Sequence, residues 1–128
     1  MENISYTQVI NVSVVNIRPQ YKNLVEWIGN KDKNVYIGRA RVVFIYGVRY
    51  PLYDSVWANP YKITSEQPRE KVLELYSVYI EEKIKNNNNL IPELLKLKGK
   101  TLGCWCKPEY CHGDILIRLI EKYEQENK

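Results

Sequence analysis

Residues 101–116, TLGCWCKPEYCHGDIL, decide the fold. The stretch opens with a short apolar run, Thr101 to Cys106, bounded and sized like a buried strand. Lys107-Pro108-Glu109-Tyr110 breaks it as a loop, and Cys111-His112-Gly113-Asp114 leads into a helix. That helix runs from about Asp114 to Gln125 and places Ile115, Leu116, Leu119, Ile120 and Tyr123 on one face. A buried strand that feeds a helix is the building unit of α/β proteins.

The segments before it follow the same alternation. Val9 to Ile17 alternates apolar and polar residues and is rich in β-branched side chains, which predicts a strand ended by Arg18-Pro19. Tyr21 to Ile28 carries helical spacing, and Gly29-Asn30 closes it. Val35 to Ile37 is a short strand running into Gly38-Arg39. Val42 to Tyr46 is a second apolar strand, and Gly47 starts a turn from which Val48 to Tyr53 pairs back, with Pro51 confining it to an edge. Asp54 to Ile63 is an ordered loop. A helix then starts at Thr64 or Ser65, with Glu66 and Pro68 in its first turn, and reaches about Lys85. Its stripe is Val72, Leu75, Tyr76, Tyr79, Ile80 and Ile84. A polar break at Asn86–Asn89, a short helix from Pro92 to Leu97 and a stop at Gly99 complete the order. The expectation is one α/β domain over residues 1–128. It has a mainly parallel sheet of four or five strands and helices on both faces, a Rossmann-like three-layer arrangement.

Composition narrows the function classes. A chain of 128 residues supports one core, and 45% apolar with 27% charged residues is ordinary for a globular protein. No window approaches the roughly 18 apolar residues of a membrane span. The start, MENISYTQ, has an acidic residue and no basic lead, so the cytoplasm is the expected compartment. The net charge of +4 is concentrated in residues 1–60, where Arg18, Lys22, Lys31, Lys33, Arg39, Arg41 and Arg49 face four acidic residues. Such a balance suits either a phosphate-bearing ligand or a solvated surface. Eleven Tyr and three Trp stand against one Phe, a bias toward rings with a polar edge.

The three cysteines fall within eight residues, and three readings fit them. In the first, Cys106 or Cys111 is a thiolate at a helix N-terminus, His112 a base or hydrogen-bond donor and Asp114 an orienting group, with Gly113 admitting a ligand to the backbone. In the second, Cys104, Cys106, Cys111 and His112 hold zinc, although the C-x-C-x4-C-H spacing departs from the usual two-residue separation. In the third, Cys104, Cys106 and Cys111 pack in the core while His112 and Asp114 cap the helix, with a Cys106–Cys111 disulfide as a variant.

Two more features point to a ligand. Gly38-Arg39 directly follows a strand, where the guanidinium meets an anion bidentately. Trp57-Ala58-Asn59-Pro60 sets an aromatic face beside a carboxamide, a pairing that suits a nucleobase and equally a buried tryptophan with a turn asparagine. With VYIGR, SVWANP and LKGKTLGCWCKPEYCHGDIL in place, the chain resembles the domain-of-unknown-function 4326 family, small proteins of phages, viruses and their hosts. The resemblance runs from about Val15 to Ile120. Its pattern falls on Gly38, Arg39, Trp57, Asn59, Pro60, Gly103, Cys104, Trp105, Cys106, Pro108, Cys111, His112, Gly113 and Asp114. Ala58 stands where glycine is usual, and Val42–Tyr53 reads as an insertion. The resemblance implies a shared fold and site and brings no reaction with it.

The expected site therefore joins Arg39, Trp57 and Asn59 to the Cys106–Asp114 junction at the carboxyl ends of the strands. The function it suggests is binding, and processing, of a nucleotide or other phosphorylated small molecule. The alternative is a non-catalytic zinc module that engages nucleic acid or a protein.

Overall fold

The computed structural model describes residues 6–40, 42–107 and 109–126. Arg41, Pro108 and most of the N-terminal stretch read above lie outside the described residues. The chain runs β1 (Gln8–Asn11), α1 (Val14–Ile17), α2 (Leu24–Gly29), β2 (Asn34–Tyr36), β3 (Val43–Ile45), β4 (Val48–Tyr50), α3 (Arg69–Asn86), α4 (Leu90–Leu95), β5 (Thr101–Cys104) and α5 (His112–Glu126).

Strand β5 lies in the middle of a three-stranded parallel sheet of order β1-β5-β2, with Ile10 and Tyr36 both in register with Gly103. The central place explains its composition: Leu102, Gly103 and Cys104 are all buried. The sheet is smaller than the four or five strands expected. Strands β3 and β4 pair only with each other, antiparallel. Tyr46 and Gly47 both adopt positive φ, the geometry of a tight two-residue hairpin turn, and this reverses the chain before it can join the parallel sheet. The fold is a mixed α/β domain rather than the larger layered sheet.

The first strand is also shorter than its pattern suggests. Asn11 Oδ1 accepts the Ser13 backbone N–H at 2.9 Å, a side-chain turn that diverts the chain into α1. At the other end of the sheet, the run Thr101–Cys106 leaves the ladder after Cys104. The Asn11 carboxamide there donates to the carbonyls of Trp105 and Lys107, at 3.1 and 3.0 Å.

Alternation along the strands splits the core in two. Leu102, Cys104 and Ile37 join Tyr76, Ile80, Leu94, Leu116 and their neighbours from α3, α4 and α5. Val12 and Tyr36 join Leu24 and Trp27 of α2, with Val43, Ile45 and Tyr50 of the hairpin packed against them. All five residues expected on the inner face of α5 are buried, as are Val72, Tyr76, Ile80 and Ile84 of α3. A Cβ on Gly103 would lie 2.4 Å from the Trp27 indole, so glycine is what lets α2 sit directly on the central strand. Among the described residues no helix is long and apolar enough to cross a membrane.

Candidate functional site

The three parallel strands end together, and their carboxyl ends deliver Asn11, Ile37-Gly38-Arg39 and Cys104-Trp105-Cys106 to one edge of the sheet. There a cleft of about 670 Å³ opens, with Gly38, Arg39, Asn59, Cys106 and His112 in its wall. Five of the residues expected at the site thus meet in one place, and Cys104 lines the same cleft.

The cysteine cluster is tightly knit. The Sγ atoms of Cys104 and Cys111 lie 3.3 Å apart, both fully buried, while Cys106 is part-exposed at the cleft. Hydrogen bonding from Cys104, then from Cys111 and His112, drives the Cys106 thiol strongly down toward the thiolate. The neighbours move the other way. Cys104 is raised chiefly by its bond with Cys106, and Cys111 by Cys104, then Cys106, then burial. Cys106 is thus the sulfur drawn toward the thiolate, with its two neighbours held toward the thiol.

His112 is positioned from three directions. It opens α5, its Nε2 lies 2.7 Å from the Ile37 carbonyl, and its ring meets Tyr76 edge-on at 5.1 Å. A carbonyl only accepts, so Nε2 carries the hydrogen of that bond. Asp114 stands behind the cleft. Its Oδ2 accepts the Cys111 backbone N–H at 2.9 Å, and its carboxylate pairs with Lys107 Nζ at 2.8 Å. This is the reciprocal half of a capping box, and it anchors the turn that carries Cys111 and His112. The Lys107 ammonium is held above its ordinary range by that carboxylate, against the opposing pull of burial.

Two expected ligand residues are placed elsewhere. Trp57 is 3% exposed, belongs to the α3–α5 core and gives its carbonyl to the Tyr76 hydroxyl at 2.8 Å. Gly113 is buried, and a Cβ there would lie 2.8 Å from Val9 and 2.9 Å from Ile37, so the glycine seats α5 on the sheet. Cys104, Cys106, Cys111 and His112 do converge, yet among the described residues no group of three or more His, Cys, Asp or Glu is placed to hold a metal ion. The Nε2 of His112 is already committed to Ile37.

Other wall residues have no motif to announce them. Lys62 and Arg69, from the long loop and the first turn of α3, bring two cations beside Arg39. Asp54, the one carboxylate in the wall among the described residues, is engaged by the Ala40 backbone N–H at 2.7 Å. Asn59 Oδ1 accepts the Tyr61 N–H at 2.9 Å, which shapes the loop around Tyr61 and Lys62. Trp105 closes one side of the cleft, its indole N–H donating to the Tyr36 hydroxyl at 2.8 Å, and that hydroxyl donates to the Arg39 carbonyl at 2.8 Å. Burial pushes Tyr36 up to about 12, so the relay stays protonated.

Comparison with known proteins gives the site a lineage. An uncharacterized protein, R718, of Acanthamoeba polyphaga mimivirus is 38% identical over 102 residues, covering 71% of this chain and 72% of that protein. An uncharacterized 12.4 kDa protein from the nrdA-td intergenic region of Enterobacteria phage T4 is 35% identical over 68 residues, covering 53% of this chain and 62% of that protein. No solved structure matches the chain. The profile of the domain of unknown function DUF4326 matches residues 20–122, which takes in all three quoted motifs, and the chain belongs to that family.

Proposed function

We propose that the cleft binds a nucleotide or another phosphorylated small molecule and that Cys106 is the nucleophile that acts on it. One observation carries this reading. The part-exposed Cys106 thiol lies in a cleft whose wall, among the described residues, holds Arg39, Lys62 and Arg69 against one carboxylate, which is already engaged. Three cations around one concavity favour a multiply charged anion, and a guanidinium adds bidentate geometry to the attraction. Hydrogen bonding from Cys104, Cys111 and His112 favours the Cys106 thiolate, the form that attacks. His112, which shares the cleft wall with Cys106, is the group assigned to pass a proton to or from a bound group, and Asp114 holds the helix turn that carries it.

Equilibrium dialysis against a panel of nucleoside mono-, di- and triphosphates tests the binding half, with inorganic phosphate as competitor. Binding is expected to weaken about tenfold or more in Arg39→Gln, the loss of a charge-assisted pair, and to persist in Cys106→Ser. Mass spectrometry tests the second half, through protection of Cys106 from iodoacetamide by the bound ligand. Failure of every phosphorylated compound to bind or protect overturns the reading.

A further inference from the structure

A second concavity, of about 500 Å³, lies between the β3–β4 hairpin and the α1–α2 corner, on the far side of Trp105 from the cleft. We propose that this groove is a track for single-stranded nucleic acid, with bases stacking on Phe44 and Tyr46 and phosphates meeting Arg18 and Lys22. The proposal stands on the groove alone and not on the reading of the cleft.

Four observations point to that occupant. Phe44 and Tyr46 line the groove and are 65% and 79% exposed, far more than rings placed there for packing would be. Tyr46 is held outward at φ 54°, a left-handed conformation that a bulky residue adopts only at a cost and that glycine or asparagine would fill more readily. Among the described residues Arg18 and Lys22 line the groove, no carboxylate does and neither cation is in an ion pair, while Glu26, outside the lining, accepts the Lys22 backbone N–H at 3.0 Å. Arg18 is fixed in place by the bond from its Nε to the Lys22 carbonyl at 2.9 Å, and Arg49 stacks on Phe44 at 5.1 Å. Exposed rings interleaved with cations are what a flexible polyanion with stacking faces requires, because every base offers a ring and every link a phosphate. A rigid duplex offers no unstacked base to such rings.

Trp105 lines both the groove and the cleft.

Fluorescence anisotropy of a labelled oligothymidylate of about twelve nucleotides tests this, with the full chain at about 50 and 200 mM salt. Binding that weakens steeply with salt is expected, together with affinity at least about tenfold lower for a duplex of equal length. Phe44→Ala and Tyr46→Ala are each expected to weaken oligothymidylate binding about tenfold. The double variant Arg18→Gln, Lys22→Gln should lower the salt slope by about 1.4. All four side chains are exposed, and circular dichroism melting confirms that the variants fold. Retention of oligothymidylate binding in Arg39→Gln, whose mononucleotide binding is expected to weaken, separates groove from cleft. The proposal is overturned by absence of binding at low salt or by binding indifferent to the ring substitutions. It is overturned equally if light scattering shows the ring substitutions dissolving a homodimer, which would make the groove a protein interface.

Discussion

The junction from Cys104 to Asp114 and the hairpin from Val43 to Tyr50 are built on opposite principles. At the junction almost every polar group has a partner inside the protein. His112 is tied to Ile37, Asp114 to Cys111 and Lys107, and Asn11 to two carbonyls of the connecting loop. In the hairpin, the cross-strand ladder and a few half-buried side chains hold two short strands, while Phe44, Tyr46 and Val48 face water. The difference separates precision from accessibility. Chemistry at a thiol needs groups fixed to within fractions of an ångström, whereas an extended partner needs open surface.

The largest contrast to test is in stability. Leu102→Ala removes a fully buried side chain from the central strand and should cost about 2–5 kcal/mol in urea unfolding. Phe44→Ala, in the hairpin, should stay within about 0.5 kcal/mol. Comparable losses at both sites would erase the distinction between the two regions. Next comes reactivity within the junction itself. Iodoacetamide should modify Cys106 first, with Cys104 and Cys111 reacting only on unfolding. Because the Cys106 thiol lies far below its ordinary range, its rate should stay nearly flat from pH about 8 to about 6, where a free cysteine slows roughly a hundredfold. A rate that falls with pH as a free cysteine's does would remove the thiolate from the site.

The smallest effect sharpens the link between the two regions. Tyr36 has a folded-state value raised from 10.0 to about 12, so the fold favours its protonated form. The stability this contributes is fully present below pH 10 and is lost as pH rises through 12. Alkaline denaturation followed by tryptophan fluorescence should therefore steepen in that window, and Tyr36→Phe should flatten it. An unchanged alkaline profile would mean that burial does not hold the Tyr36 hydroxyl in its protonated form.

Much of the fold was legible in the chain because periodicity reports burial. The five inward residues of α5 and the four of α3 follow from spacing alone. The extent of the sheet was not legible. Val9 to Ile17 largely alternates and is rich in β-branched residues, and the side chain of Asn11, folding back on Ser13, marks where the strand ends. The hairpin has the composition of a sheet strand, and two positive φ angles turn it away. At the site, Cys106, His112 and Arg39 were readable from where they stand relative to strand ends and a helix start. Trp57 and Gly113 were not separable from packing residues, because a core and a binding wall ask for the same ring or the same absence of a side chain. Lys62 and Arg69 gave no signal, since single cations in a loop and a helix turn have no pattern until the fold gathers them.

The central position of β5 has a consequence for how the molecule comes into being. Its pairing with β1 joins residues 93 positions apart, and β2 touches β1 only through it. During synthesis β1 and β2 therefore wait, as unpaired edges, until the strand that belongs between them has been made. Loop closure over that distance opposes pairing, so folding should be slow for a chain this small, and the sheet should assemble in one late step. A ribosome-bound chain stopped before Thr101 would hold neither a parallel ladder nor the cysteines, and the protein would acquire its architecture and its chemistry together.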